Sequence, residues 1–414
     1  MISTADNKQQ GNHPIVLFLW AITGYVILLS LSSVLQSGGL KVLSYGAAFG
    51  LFLLMTAWSA FLTKEKNSAL GFGFAIGIYY YGIAGSLLYN LDHIEWSVAL
   101  KLLMAPIFIL IGAKFEAQQH MHYSFTKSVK TLFILLVMLP VVVWLLQLVM
   151  GRIDLDTVEG VSIFANRNNA SLYVVTLIAL YNVISGKPVK SFLLYLLVGI
   201  GFGTLGVLLA ILISLSICVT RNNTYIKVGI LTILLTIGLI YMMPPALGLF
   251  SRITTVIDSF IFIITGRINL AVVTYAELVN LLQTTDLSFI FRLKHWLNLL
   301  NIYSNGSIFD WVFGFGVGSS SRIADISLVP HNDYLRYLFE CGLVTFIGFI
   351  SIIFLIIYRC GRRWESVPLF VVIFYFFSEN LVNNFTAMTL FYFCAGAISY
   401  RISDEHNKNK SEAN

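Results

Sequence analysis

The stretch VPHNDYLRYLFECGLV, residues 329–344, places His331, Asn332 and Asp333 directly before an apolar run and carries Arg336 and Glu340 inside it. Histidine is the side chain that changes charge near neutral pH, so it can take a proton from a hydroxyl. A helix starting near Asn332, after Pro330, puts Asn332, Arg336 and Glu340 on one stripe, with Asp333 and Tyr337 beside it. Arg336 and Glu340 form an i,i+4 pair that can neutralise itself. In a membrane this stripe must face the bundle interior or a water-filled cavity, because lipid exposure costs several kcal/mol. His331, next to Pro330, is expected to be non-helical and free to turn toward that cavity. These residues alone leave two readings open. One is a base above a charged cavity, suited to transfer from an anionic lipid-linked donor. The other is a helix cap with a structural ion pair.

The elements that must position these residues are membrane helices. Of the 414 residues, 57% are hydrophobic and only 11% charged, with a mean hydropathy of +0.82. A soluble domain of this size cannot hide so much apolar surface. Apolar runs of spanning character fall near 14–35, 42–62, 69–89, 97–113, 131–150, 170–186, 191–204, 206–219, 228–243, 334–358, 367–381 and 385–400. They predict an all-α polytopic protein of about twelve transmembrane helices. The pair 191–219 reads either as two short helices or as one long tilted one. The first run is too long for a signal-peptide core and is read as a retained helix. The expected organisation is nine spans over 1–243, a large outer loop over 244–333, three spans over 334–401 and a cytoplasmic tail over 402–414. The four cysteines lie far apart with no CxxC pair, which predicts neither a disulfide framework nor a metal site.

Lysine and arginine set the orientation. With both termini cytoplasmic, the inner segments carry Lys8, Lys64, Lys66, Lys114, Lys127, Lys130, Lys187, Lys190, Arg221, Lys227, Arg359, Arg362, Arg363, Arg401, Lys408 and Lys410. The short outer links at 90–96 and 382–384 carry no basic residue. The outer side then holds Arg152, Arg167, Arg252, Arg267, Arg292, Arg322 and Arg336, against Lys41, Lys101 and Lys294. Arginine presents a planar fork of donors that matches phosphate and carboxylate. Seven together on the side that positive-inside disfavours point to an anion at the outer face, although each can instead pair with a local acid.

Two outer segments are long, 151–169 and 244–333. Within the second, SFIFRLKHWLNLLNIYS (288–304) is amphipathic and is expected to lie in the membrane interface. Ile290, Phe291, Leu293, Trp296, Leu297 and Leu300 are expected to face lipid. Arg292, His295, Asn298 and Asn301 are expected on the opposite side, with His295 solvated. The GFGVG segment, 314–318, is a glycine turn with no strand–helix unit around it, so it is not a dinucleotide fingerprint. Glu379 and Asn380, near the outer end of the eleventh span, could line the cavity. Capping of the short link that follows is the simpler account.

With these motifs in view, the chain resembles the bacterial O-antigen ligase and polysaccharide polymerase superfamily, over roughly residues 150–400. The family signature of G-x-G, then H-N-x-x-L, then E-x-G is matched by Gly314-Phe-Gly316, His331-Asn332-Asp-Tyr-Leu335 and Glu340-Cys-Gly342. The upstream F-x-N-x-N motif is matched by Phe164-Ala-Asn166-Arg-Asn168, and S-x-R…W loosely by Ser288-Phe-Ile-Phe-Arg292…Trp296. One departure concerns an arginine that many members carry in an S-R-G segment, where this chain has Thr204-Leu205-Gly206. Either another outer arginine takes that role or that part of the site is arranged differently.

The resemblance implies a GT-C-like glycosyltransferase in the bacterial inner membrane, with its active site facing the periplasm and no metal or cofactor. Its partners would be an undecaprenyl-diphosphate-linked glycan donor, a glycan acceptor, the bilayer and, by the same analogy, a chain-length-regulating membrane protein. Nucleic acid has no part in it. The resemblance makes His331 the general base. Asn332 and Glu340 would orient it or hold the acceptor. Arg292 comes first for the diphosphate, then Arg167 and Arg336, with Arg152 behind, and Asn168 comes with the F-x-N-x-N motif. The anomeric centre would invert. A polymerase, which joins lipid-linked repeat units, is favoured over a ligase that transfers glycan to lipid A–core. A polysaccharide or lipid transporter is the reading from another class. The long outer loop and the lack of an internal repeat weigh against it.

Overall fold

A computed structural model describes residues 13–36, 38–61, 70–118, 127–152, 163–164, 166–185, 204–219, 254, 257–258, 260–265, 269–270, 273–282, 288–324 and 329–413. The helices over these residues are α1 (His13–Leu35), α2 (Gly38–Phe61), α3 (Leu70–Tyr89), α4 (Trp96–Met104), α5 (Phe108–Gln118), α6 (Lys127–Val149), α7 (Arg167–Ser185) and α8 (Leu205–Val219). They continue as α9 (Tyr275–Leu282), α10 (Ser288–Ser304), α11 (Ile308–Phe313), α12 (Ser320–Ile323), α13 (Asp333–Cys360), α14 (Val367–Tyr375) and α15 (Phe385–Ala413). Among the described residues five stretches are long and apolar enough to cross a membrane: Phe18–Leu35, Gly71–Tyr89, Trp96–Glu116, Ser128–Val149 and Asp333–Cys360. The apolar helices of α8 and α14 are shorter. The expected span 228–243, and 191–204 up to Thr204, lie outside the described residues.

The apolar surface is distributed as lipid requires. On α6, Ile134, Val137, Met138, Val141, Val142 and Leu145 are exposed, a pattern that water would penalise and hydrocarbon accepts. The helices pack α15 on α5 and α7, α13 on α3, α14 on α8 and α7, and α1 between α2 and α6. Aromatic rings fill the centre, where Phe18 stacks on Phe393 with ring centroids 3.9 Å apart.

The run 97–113 lies within the candidate span Trp96–Glu116, with Pro106 in a 3₁₀ turn, Ala105–Ile107, between α4 and α5, where proline has no N–H to donate to a helix ladder. One expectation is corrected here. The eleventh run, expected to 381, is helical only to Tyr375. Residues 376–384 form a connecting link at its C-terminal end.

The feature that shapes the site is a break in α13. Gly342 has φ 79° and ψ 176°, a region open to glycine alone. A Cβ there would also meet the Val312 carbonyl at 2.3 Å. The break frees carbonyls of the preceding turn, and the glycine turn takes them up. Phe315 N–H donates to Phe339 O and Gly316 N–H to Glu340 O, both at 3.0 Å. Close approach needs glycine on the other side too, since a Cβ on Gly314 would meet Glu340 O at 2.5 Å. The spacing of the G-x-G and E-x-G motifs therefore has a direct backbone cause.

Candidate active site

Three helices begin at one end of the bundle, and an asparagine caps each one. Asn166 Oδ1 accepts from Asn169 N–H at 2.9 Å at the start of α7. Asn332 Oδ1 accepts from Leu335 N–H at 3.1 Å at the start of α13. Asn384 Oδ1 accepts from Ala387 N–H at 3.2 Å at the start of α15, and its amide donates to Asn169 O at 3.1 Å. Asparagine suits these positions because its short amide reaches the otherwise unpaired N–H groups. The positive ends of three helix dipoles thus gather in one place.

The link 376–384 runs among them. Asp333, fully buried, holds the link by accepting from Leu381 N–H at 2.6 Å and Val382 N–H at 3.2 Å. Its own N–H donates to Phe376 O at 2.8 Å. This clamp presents Glu379, whose carboxylate is the hub of the site. Glu379 Oε2 lies 3.1 Å from His331 Nδ1. Glu379 Oε1 lies 2.9 Å from an Arg292 terminal nitrogen, and the other terminal nitrogen donates to Ser378 O at 2.8 Å. The Asn168 side chain donates to the same carboxylate. Burial alone would raise the Glu379 carboxyl, but the His331 hydrogen bond and the Arg292 charge outweigh it and hold the group below the ordinary carboxylate range.

A carboxylate can only accept, so the proton of a neutral imidazole sits on Nδ1 and Nε2 keeps its lone pair. His331 itself stands at φ 49°, an uncommon backbone state for a side-chain-bearing residue. This backbone state sets the ring against Glu379 before the helix starts. The side chain remains 31% exposed, while Glu379 is 7% exposed. The arrangement is a buried acid holding a partly exposed imidazole through Nδ1.

The sequence candidates separate into two groups. His331, Arg292 and Asn168 meet at Glu379. Arg167, next to Asn168 at the start of α7, is half-buried and has no hydrogen-bond or ion-pair partner among the described residues. Arg336 and Glu340 lie elsewhere. They pair at 3.1 Å with 3% and 1% exposure. Glu340 also accepts from Gly318 N–H at 2.9 Å and from Ser320 Oγ at 2.5 Å. The pair therefore pins the glycine turn onto α13. Arg336 and Glu340 line an interior space with Leu102, Tyr337, Cys341 and Val382. Asn332 spends its side-chain oxygen on the helix cap. Arg152 donates to Val34 O at the end of α1, away from Glu379.

The reading of 288–304 is corrected. The helix is present as α10, and the first half of its polar stripe faces protein: Arg292 reaches Glu379 and His295 is 4% exposed, not solvated, while Asn301 is exposed. Of the six residues expected in lipid, Leu297 and Leu300 are exposed, whereas Ile290 is buried and Trp296 donates to Pro330 O and packs edge-on against Phe377. Periodicity locates a polar face but not the medium it meets. Glu379, for which capping of the link is the simpler expectation and cavity lining the alternative, pairs with Arg292 and His331. Its signal was an acid ending an apolar run, with its partners 48 and 87 residues away. The Thr204-Leu205-Gly206 segment comes beside this link, since a Cβ on Gly206 would meet Ser378 Oγ at 2.6 Å.

Neither a family model nor a curated protein matches the chain.

Proposed function

We propose that the protein is an inner-membrane polysaccharide polymerase that transfers glycan from undecaprenyl diphosphate to a sugar hydroxyl of another lipid-linked repeat unit. The observation that carries this reading is the Glu379 carboxylate shared by His331 and Arg292. It supplies an oriented base and a fixed cation at one point, at the ends of the helices. The motifs described above, which resemble those of O-antigen polymerases and ligases, give the substrate class.

The acceptor hydroxyl oxygen forms a bond to the anomeric carbon from the face opposite the leaving group, and its proton passes to His331 Nε2. The bond between that carbon and the diphosphate oxygen breaks, and the electron pair leaves with undecaprenyl diphosphate. Inversion follows from the single displacement. Glu379 stabilises the imidazolium that forms, as a carboxylate does for a general-base histidine. Arg167 and the first turn of α7 offer the leaving diphosphate a cation and a helix N-terminus.

The test replaces His331 with alanine in the native host, with surface glycan and carrier-linked glycan analysed together. Surface glycan cut to single repeat units at unchanged protein level is the expected result. Long chains held on the carrier would make the protein a ligase to lipid A–core. Unchanged glycan in both pools would overturn the reading and favour a transporter.

A further inference from the structure

The short helix α11 is capped and fastened, yet its outward face is apolar. A capping box joins Ser307 and Asp310: Ser307 N–H donates to Asp310 Oδ2 at 2.8 Å, and Asp310 N–H to Ser307 Oγ at 3.3 Å. Trp311 Nε1 donates to Tyr303 O, and Tyr303 Oη donates to Trp311 O, both at 2.6 Å. The indole N–H is thereby satisfied within the chain, so the ring can enter an apolar medium without leaving a donor unpaired. Ile308, Phe309 and Trp311 are 69%, 57% and 44% exposed. Isolated exposed apolar side chains need no explanation, but three in four residues on a fastened helix do.

The surroundings say what covers them. Phe313, on the inner face of α11, lies against Gly85 of α3. Phe309 stacks on Tyr89, the last residue of α3, with ring centroids 5.8 Å apart. Gly85 and Tyr89 are about 6 Å apart along the helix axis, so α11 lies level with the final turn of a membrane-spanning helix. The exposed side of that helix is a lipid-facing stripe of Phe74, Tyr81 and Leu88. The apolar face of α11 continues this stripe sideways, at the depth where tryptophan and tyrosine gather in membrane proteins.

We infer that α11 is a membrane-interface anchor: Ile308, Phe309 and Trp311 insert among the lipids of the outer leaflet beside the end of α3. The partner is the bilayer interface itself. The anchor adjoins the glycine turn, since Phe313 precedes Gly314, so it fixes the height of the α13 break relative to the membrane. This inference stands apart from the proposed chemistry.

The test is spin-label depth measurement on the full chain in phospholipid nanodiscs. Labels go on Phe309→Cys and, to avoid any packing defect, on the more exposed Ile308→Cys. Ser304→Cys, exposed at the end of α10, serves as the reference. The four native cysteines are buried, and the unsubstituted protein gives the labelling blank. The expected result is that labels at 308 and 309 are more accessible to dissolved oxygen than to a water-soluble nickel chelate, with the order reversed at 304. Nickel accessibility at 308 and 309 equal to that at 304 would place α11 in water and overturn the inference. Shielding from both reagents would overturn it as well, by showing that protein, such as a second copy, covers the face.

Discussion

Replacing Glu379 with glutamine keeps the shape of the hub and removes its charge. Two unit charges about 4 Å apart interact by about 4 kcal/mol at an effective dielectric of about 20. Arg292 and His331 are 28% and 31% exposed, so solvent screens part of this. A hydrogen bond to a charged group is worth about 1.5–3 kcal/mol. The expected net loss of transition-state stabilisation is about 2–4 kcal/mol, or roughly 30- to 1,000-fold in turnover. The assay is elongation of carrier-linked repeat units from the same host by the purified chain, backed by surface-glycan length in cells. Because Glu379 acts through the imidazole, Glu379→Gln on top of His331→Ala should cost little more than His331→Ala alone. Stability gives a second readout. The folded Glu379 carboxyl lies below its ordinary range. Its contribution is therefore present above the usual carboxylate pKa of about 4.3 and is lost as pH falls through the lower folded value. Glu379→Gln should remove that part of the acid sensitivity. Wild-type turnover in Glu379→Gln, or full additivity with His331→Ala, would refute the reasoning.

Three further substitutions separate scaffold from site. Glu340→Gln strands the buried Arg336 charge and should cost about 3–5 kcal/mol of stability; thermal unfolding in detergent should show it, with turnover per folded molecule little changed. Gly342→Ala meets both the backbone conformation and the Val312 carbonyl, for a cost of about 3 kcal/mol, read as a lowered Tm and poor yield. Arg167→Ala removes a cation that has no partner among the described residues and should weaken the binding of undecaprenyl diphosphate with Tm unchanged; equal affinity in a binding titration would remove Arg167 from the site.

The helices and the start of α13 were legible because apolar run length and an asparagine after proline are local signals. The i,i+4 pairing of Arg336 and Glu340 was legible for the same reason. Their purpose was not, because Glu340 serves a glycine turn more than twenty residues upstream. The break at Gly342 leaves no mark in composition, since the apolar pattern continues through it to Cys360. What the sequence concealed is the role of Glu379 as the shared partner of the other site residues. Its three partners come from α7, α10 and His331, two residues before α13, and only folding brings those segments to one carboxylate.

The break in α13 also settles where its charges stand. The piece after Gly342, residues 343–360, is free of acidic residues and keeps its one basic residue, Arg359, in its last turn. At about 1.5 Å per residue it is about 27 Å long, close to the roughly 30 Å of hydrocarbon a span must cross. That piece can serve as the membrane span unaided. The nine residues before the break, with Asp333, Arg336 and Glu340, form a separate stub mounted on top of it. Their burial is then burial in protein, beneath a loop, and hydrocarbon does not set its cost.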